Sequence, residues 1–147
     1  MAVVSRYTVA LHILTWMAQV AKKNPDSVTS SQIAASVNTN PVFIRRILSL
    51  LRNANLVTVK HGAGVGWNLA KAPDEITLRD VYEAVERKPL FELHHSSPNQ
   101  ACPIGRGIRS ALNEFYGKAE LAMKQELSRA TIADLLERTM ADRTNRA

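Results

Sequence analysis

The stretch TSSQIAASVNTNPVFIRRILSLLRNANL, Thr29 to Leu56, narrows the possible folds more than any other part of the chain. Thr29 stands three residues before Gln32, the spacing at which two side chains satisfy each other's orphan backbone N–H groups. A helix therefore starts here and carries Ile33, Ala34 and Val37 inward. Only the turn NTN separates it from the next start signal, in which Asn40 serves as N-cap and Pro41 as the first helical residue. Phe43, Ile44, Ile47, Leu48, Leu50, Leu51 and Ala54 then form a broad apolar stripe. Arg45, Ser49 and Arg52 fall on the opposite face, with Arg46 beside them, and Asn55 suits the left-handed exit that ends many helices.

The flanking segments supply what these two helices must pack against. Ser5 to about Lys22 has apolar residues at three- and four-residue spacing, and Pro25 ends that helix. After Asn55, LVTVKH alternates as a half-buried strand does, GAGVG reads as a turn rich in the residue that accepts positive φ, and WNLA returns as the second strand. Pro73 starts a linker, and Thr77 to Glu86 is a fourth helix with Thr77 and Asp80 in capping positions. RKPLFELHHSSPNQA is irregular. Pro103 to about Arg129 forms a helix of roughly 35 to 40 Å with Ile104, Ile108, Ala111, Leu112, Phe115, Ala119 and Ala122 on one stripe. Thr131 opens a last helix. The fold expected is mainly α: a winged helix-turn-helix with a two-stranded wing and a long C-terminal helix. Its segments are 1–72 for the winged unit, 73–102 for a connecting helix and sensor-like loop, and 103–147 for the long helix and the C-terminal helix.

Charge is divided unevenly between these segments. Residues 1–72 hold eight Lys and Arg against one acid, Asp26, whereas the remainder holds eleven against twelve, so the whole excess of +6 lies in the first half. A polyanion would dock there. The longest apolar-looking run, Val9 to Ala21, is too short for a bilayer and is broken by His12, Thr15 and Gln19. With no secretory signal pattern and one cysteine, Cys102, the chain is expected in the cytoplasm.

In a helix-turn-helix, the N-terminal part of the second helix protrudes far enough to enter a DNA major groove. Arg45 and Arg46 lie in that part, where a guanidinium can read guanine through two hydrogen bonds or clamp a phosphate. Asn40 can donate and accept at the groove edge, Lys60 and His61 flank the hairpin tip, and Arg52 belongs to the solvated face. Three arginines on a helix face are, alone, more often solvated surface. The capped helix before them, the short turn, the hairpin and the local charge together favour double-stranded DNA as partner.

At this point the chain resembles the Rrf-two (BadM) family of winged-helix transcriptional regulators. SRYTVALHILTWMA, SSQIAASVNTNPVFIRRILSLLRNANLV, GAGVGWNLAKAPDEITLRDVYEAVE and the long helix after CPIG carry the likeness. The resemblance implies a homodimer, joined through Ile108, Leu112, Phe115 and Ala119 of the long helix, that binds a palindromic operator and acts as a repressor. By motif position it implies recognition contacts at Thr39, Asn40, Pro41, Val42 and Arg45, and backbone contacts near Arg6 and Tyr7 and at the wing. The chain departs from the family at Val65, Gly66 and Trp67, where Gly-Gly-Tyr is common, and at Asn55, where glycine is common. A larger departure concerns the iron-sulfur cluster of well-known members, which uses three closely spaced cysteines before the long helix. This chain has only Cys102 there, and His94 with His95 does not replace the missing thiolates, so no cofactor or metal is expected.

Cys102 precedes Pro103 and is expected at the N-cap of the long helix, where the helix dipole favours a thiolate and Arg106 lies within the first turn. A redox-sensing thiol and a small residue holding the helix start both fit. Catalysis is not expected: no glycine-framed nucleophile turn, orienting acid or phosphate loop accompanies Cys102, His94 and His95. The alternative to a DNA-binding regulator is a protein-interaction module on the same winged scaffold.

Overall fold

Ile13 and Leu14 of the first helix, Ile33 of the second and Ile44, Ile47, Leu48 and Leu51 of the third meet in one core with at most 1% of their surface exposed. The computed structural model describes residues 5–145, with side chains to Asp142, so the outer ends of the first and third expected segments lie outside the described residues. In order these are α1 (Ser5–Lys23), α2 (Ser30–Val37), α3 (Pro41–Asn53), β1 (Val57–Lys60), β2 (Gly66–Leu69), α4 (Leu78–Val85), α5 (Pro103–Leu127) and α6 (Ile132–Asn145). Pro73–Glu75 makes one turn of 3-10 helix before α4.

Local signals set most element boundaries. Thr29 Oγ1 accepts from the Gln32 N–H at 3.1 Å while Gln32 Oε1 accepts from the Thr29 N–H at 2.9 Å. The same reciprocal cap recurs at Thr77 with Asp80 and at Thr131 with Asp134. Asn40 Oδ1 accepts from the Val42 N–H at 2.7 Å, with Pro41 opening α3. Asn38 and Asn55 carry the chain out of α2 and α3 at φ 62° and 61°. Both are asparagine because its short polar side chain tolerates the left-handed region.

The strands pair antiparallel, Val57 opposite Leu69 and Lys60 opposite Gly66. The hairpin tip differs from what its glycine content implies. No described glycine has positive φ, so the tip does not use glycine for a left-handed backbone. Gly62 and Gly64 face open space, whereas Gly66 is required by a close approach, because a Cβ there would collide with Ser27 Cβ. Ser27 and Val28 belong to an added rung: the Val28 N–H donates to Trp67 O at 3.0 Å and the Trp67 N–H to Val28 O at 2.7 Å. The link after α1 is thereby stitched to the wing.

α6 returns to the winged unit and packs along α1, burying Ile132 and Leu136 in the common core. Backbone bonds from the Leu78 N–H to Ala130 O and from the Ile132 N–H to Ile76 O, each 2.9 Å, fasten its start to that of α4. α5 has no buried residue. Its links to the rest include Lys124 Nζ to Glu83 at 3.2 Å, Arg109 to His94 O at 3.3 Å and Tyr116 stacked on Phe91 at 4.7 Å.

Candidate nucleic-acid interface

The helix pair α2 and α3, joined by residues 38–40, presents the first two turns of α3 outward. Pro41 and Phe43 are half-buried and Ile44 is fully buried, so the helix is anchored while its other face stays clear. Val42 is 46% exposed, and Arg45 and Arg46 are exposed beyond it. Arg45 Nη1 donates to Ser30 Oγ at 3.3 Å, a single long contact that leaves most of the guanidinium's five donors open. Arg46 makes no hydrogen bond or ion pair with the described residues. Ser49 turns its hydroxyl back to Arg45 O at 3.0 Å. Arg52 is exposed at the far end of the helix.

Asn40 is more restricted than its composition implies. Its Oδ1 is held by the cap, leaving the amide N–H groups to donate. Thr39 is half-buried beside it. Lys60 and His61 are exposed where β1 enters the tip, and β1 packs against α3.

The structure sets Arg6 and Tyr7 apart from these residues. Arg6 Nη2 donates to Glu86 Oε2 at 3.2 Å, with 46% of its side chain exposed against 7% for the glutamate. Tyr7 donates its hydroxyl proton to Leu78 O at 2.7 Å and sets its ring edge-on to Tyr82 at 5.3 Å. Burial, with the neighbouring Tyr82 adding to it, pushes the Tyr7 phenol up to about 12. Burial also raises Tyr82, reinforced by Glu120, Glu86 and Glu83. Tyr7 thus joins α1 to α4, and its one proton is not free for a phosphate.

Two contributors were not legible beforehand. Ser30 steadies Arg45 from the first turn of α2, and Val28 with Ser27 ties the wing to the link before α2. These contacts join segments 15 and roughly 40 positions apart, and no local spacing marks such pairs.

A helix pair with a short turn, an outward cationic start to its second helix and an attached two-stranded wing can present side chains to a duplex groove. Against known proteins, residues 3–138 match the family model described as Rrf2, iron-dependent transcriptional regulator. The chain belongs to the Rrf2 family of DNA-binding transcriptional regulators. It is 40% identical over 133 residues to YwnA of Bacillus subtilis, named as a presumed HTH-type transcriptional regulator, covering 90% of this chain and 95% of that one. CymR of the same bacterium, an HTH-type transcriptional regulator, is 31% identical over 129 residues, 86% of this chain and 85% of CymR. The solved structure of CymR, described as the global cysteine regulator, superposes with a TM-score of 0.59 at 27% identity over 88% of this chain and 94% of that one. A crystal structure named as that of a presumed DNA-binding protein superposes with a TM-score of 0.69 at 38% identity, covering 89% and 98%.

The iron in the family description does not fit this member of the Rrf2 family. Iron-sulfur clusters are held by several thiolates, and the chain has one cysteine. Cys102 stands at the N-cap of α5 as expected, half-buried, with no capping hydrogen bond from its side chain. His94 and His95 are exposed, His95 lying 3.8 Å from Glu92. Among the described residues no three His, Cys, Asp or Glu side chains gather as a metal site would require.

Proposed function

We propose that this Rrf2-family chain acts as a cytoplasmic homodimer that occupies a palindromic operator and represses transcription. One observation carries the reading: the exposed, nearly unengaged guanidinium groups of Arg45 and Arg46 on the first turns of a capped helix that is itself locked into the core. The positive end of the α3 dipole also favours a phosphate. Val42 offers an apolar contact of the kind that reads a thymine methyl, and the Asn40 amide can donate to a base edge. Lys60 and His61 extend the contact along the duplex from the wing, and Arg6 reaches phosphate by exchanging Glu86 for it.

Pairing through α5 supplies the two-fold symmetry that a palindrome needs. Ile104 and Phe115 are 70% and 67% exposed. With Ile108, Leu112 and Ala119 they follow one face, turned about 110° from Arg109, Tyr116 and Lys124, through which α5 meets its own chain. A second copy covers that face. Cys102 is placed at the joint between the loop and α5, where thiol oxidation would alter operator release, and Cys102→Ser should then make release insensitive to peroxide.

The test is fluorescence anisotropy on a duplex selected from a random pool by the protein, repeated from low to high salt. Log affinity should fall linearly with log salt. Arg45→Ala and Arg46→Ala should each cost about 1–3 kcal/mol, and whichever contacts phosphate should reduce the salt slope by about 1. Unchanged affinity in the double variant would sink the reading.

A further inference from the structure

A cavity of about 460 Å³ lies between α1 and α6 and reaches the last turn of α2, well away from Arg45 and the wing. Leu11, Trp16, Leu136 and Met140 form its apolar walls. No Asp, Glu, Lys or Arg side chain lines it among the described residues. Its polar groups are partly committed, the Thr15 and Thr139 hydroxyls donating to Leu11 O and Leu135 O. The Trp16 indole N–H and the Gln19 amide make no hydrogen bond with described residues, and His12 uses one ring nitrogen on Ser36 Oγ at 3.0 Å, leaving the other open. Volume, apolar walls and a handful of convergent polar groups are the attributes of a small-molecule site, and helix bundles commonly place such sites between helices.

We propose that this cavity binds an uncharged, flat amphipathic molecule, an aromatic ring system with one hydrogen-bonding group, which weakens operator binding. The ring system rests against Trp16 and Leu136. The polar group meets His12 or Gln19. A charged ligand is disfavoured because it would lose hydration with no counter-charge in the walls. Coupling runs through His12, which bridges α1 to Ser36, two residues before the left-handed Asn38 that sets the turn into α3. An occupant that takes the His12 partner releases Ser36 and loosens α2 against α1. The inference rests on the operator-binding reading for its consequence, but not for occupancy of the cavity.

Full-length protein titrated with the neutral fluorophore N-phenyl-1-naphthylamine should show saturable binding of one molecule per chain, with energy transfer that falls in Trp16→Phe to the part supplied by Trp67. The anionic analogue 8-anilinonaphthalene-1-sulfonate should bind at least about tenfold more weakly. Thr139→Trp, at an exposed position on the rim, and Gln19→Glu should each weaken the neutral probe about tenfold or more while circular dichroism stays unchanged. Saturating probe should lower operator affinity about tenfold, and His12→Phe should abolish that coupling. Non-saturable binding, equal binding of the sulfonate, or probe affinity unchanged in both rim variants overturns the site. Operator affinity unmoved by bound probe overturns the coupling. Probe binding without any DNA binding would instead overturn the regulator reading alone.

Discussion

The winged unit and α5 solve opposite problems with similar helices. In α3 the apolar stripe is turned inward, Ile44, Ile47, Leu48 and Leu51 are closed to solvent, and what remains outside is charge. In α5, almost twice as long at 25 residues against 13, no residue is buried, and of its stripe Ile104 and Phe115 stay exposed while Ile108 is half-buried. Amphipathicity alone therefore does not tell a helix that buries its apolar stripe from one that leaves it exposed. What separates them is length relative to the neighbours available: α3 finds α1, α2, α4 and β1 around it, whereas α5 packs mainly on α4 and the loop folded along it.

The sharpest way to break this contrast is to charge the outward stripe. Phe115→Glu should leave the winged unit folded, since the residue contributes nothing to the core, yet convert the proposed dimer to monomer in sedimentation equilibrium at micromolar concentration. Operator affinity should drop at least about 100-fold, because two half-sites no longer bind as one. An unchanged dimer would place the second copy elsewhere.

A smaller effect is expected within the winged unit, where the wing meets the link after α1. Gly66→Ala forces a methyl group against Ser27 and should destabilise by about 1–3 kcal/mol. Ser27→Gly in the same chain should recover most of that loss, as read from urea midpoints in a double-mutant cycle. Failure to recover would mean that the wing is held by something other than this contact.

How much of this was legible follows the same division. The caps at Thr29, Asn40 and Thr77 and the exit at Asn55 were readable because both partners of each signal lie within a few residues. The stripes of α3 and α5 were readable from periodicity, and so were the exposed Arg45 and Arg46. The return of α6 to α1, the Val28–Trp67 rung and the Tyr7–Leu78 bond were not, because each joins positions far apart in the chain. Tyr7 shows the cost for the site. Motif position marks it as a contact, while the fold spends its hydroxyl on a carbonyl.

Tyr7→Phe removes one partly buried hydrogen bond and should cost about 1 kcal/mol near neutral pH. It should also change the alkaline limb of stability in a definite direction. An unfolded tyrosine loses its proton near pH ~10, whereas in the fold the phenol holds it to about 12. Protonation is therefore favoured by folding, so the residue's contribution is complete below the unfolded value and is lost as the pH rises through the folded one. Urea midpoints of the parent protein should fall between pH 10 and 12 more steeply than those of Tyr7→Phe. Operator affinity at neutral pH should barely differ between them once both are folded, because this phenol braces α1 on α4 and its proton is committed to Leu78 O. Parallel alkaline limbs in the two proteins would show that the Tyr7 proton is not held by the fold, and a large loss of operator affinity would return Tyr7 to the DNA-contacting set.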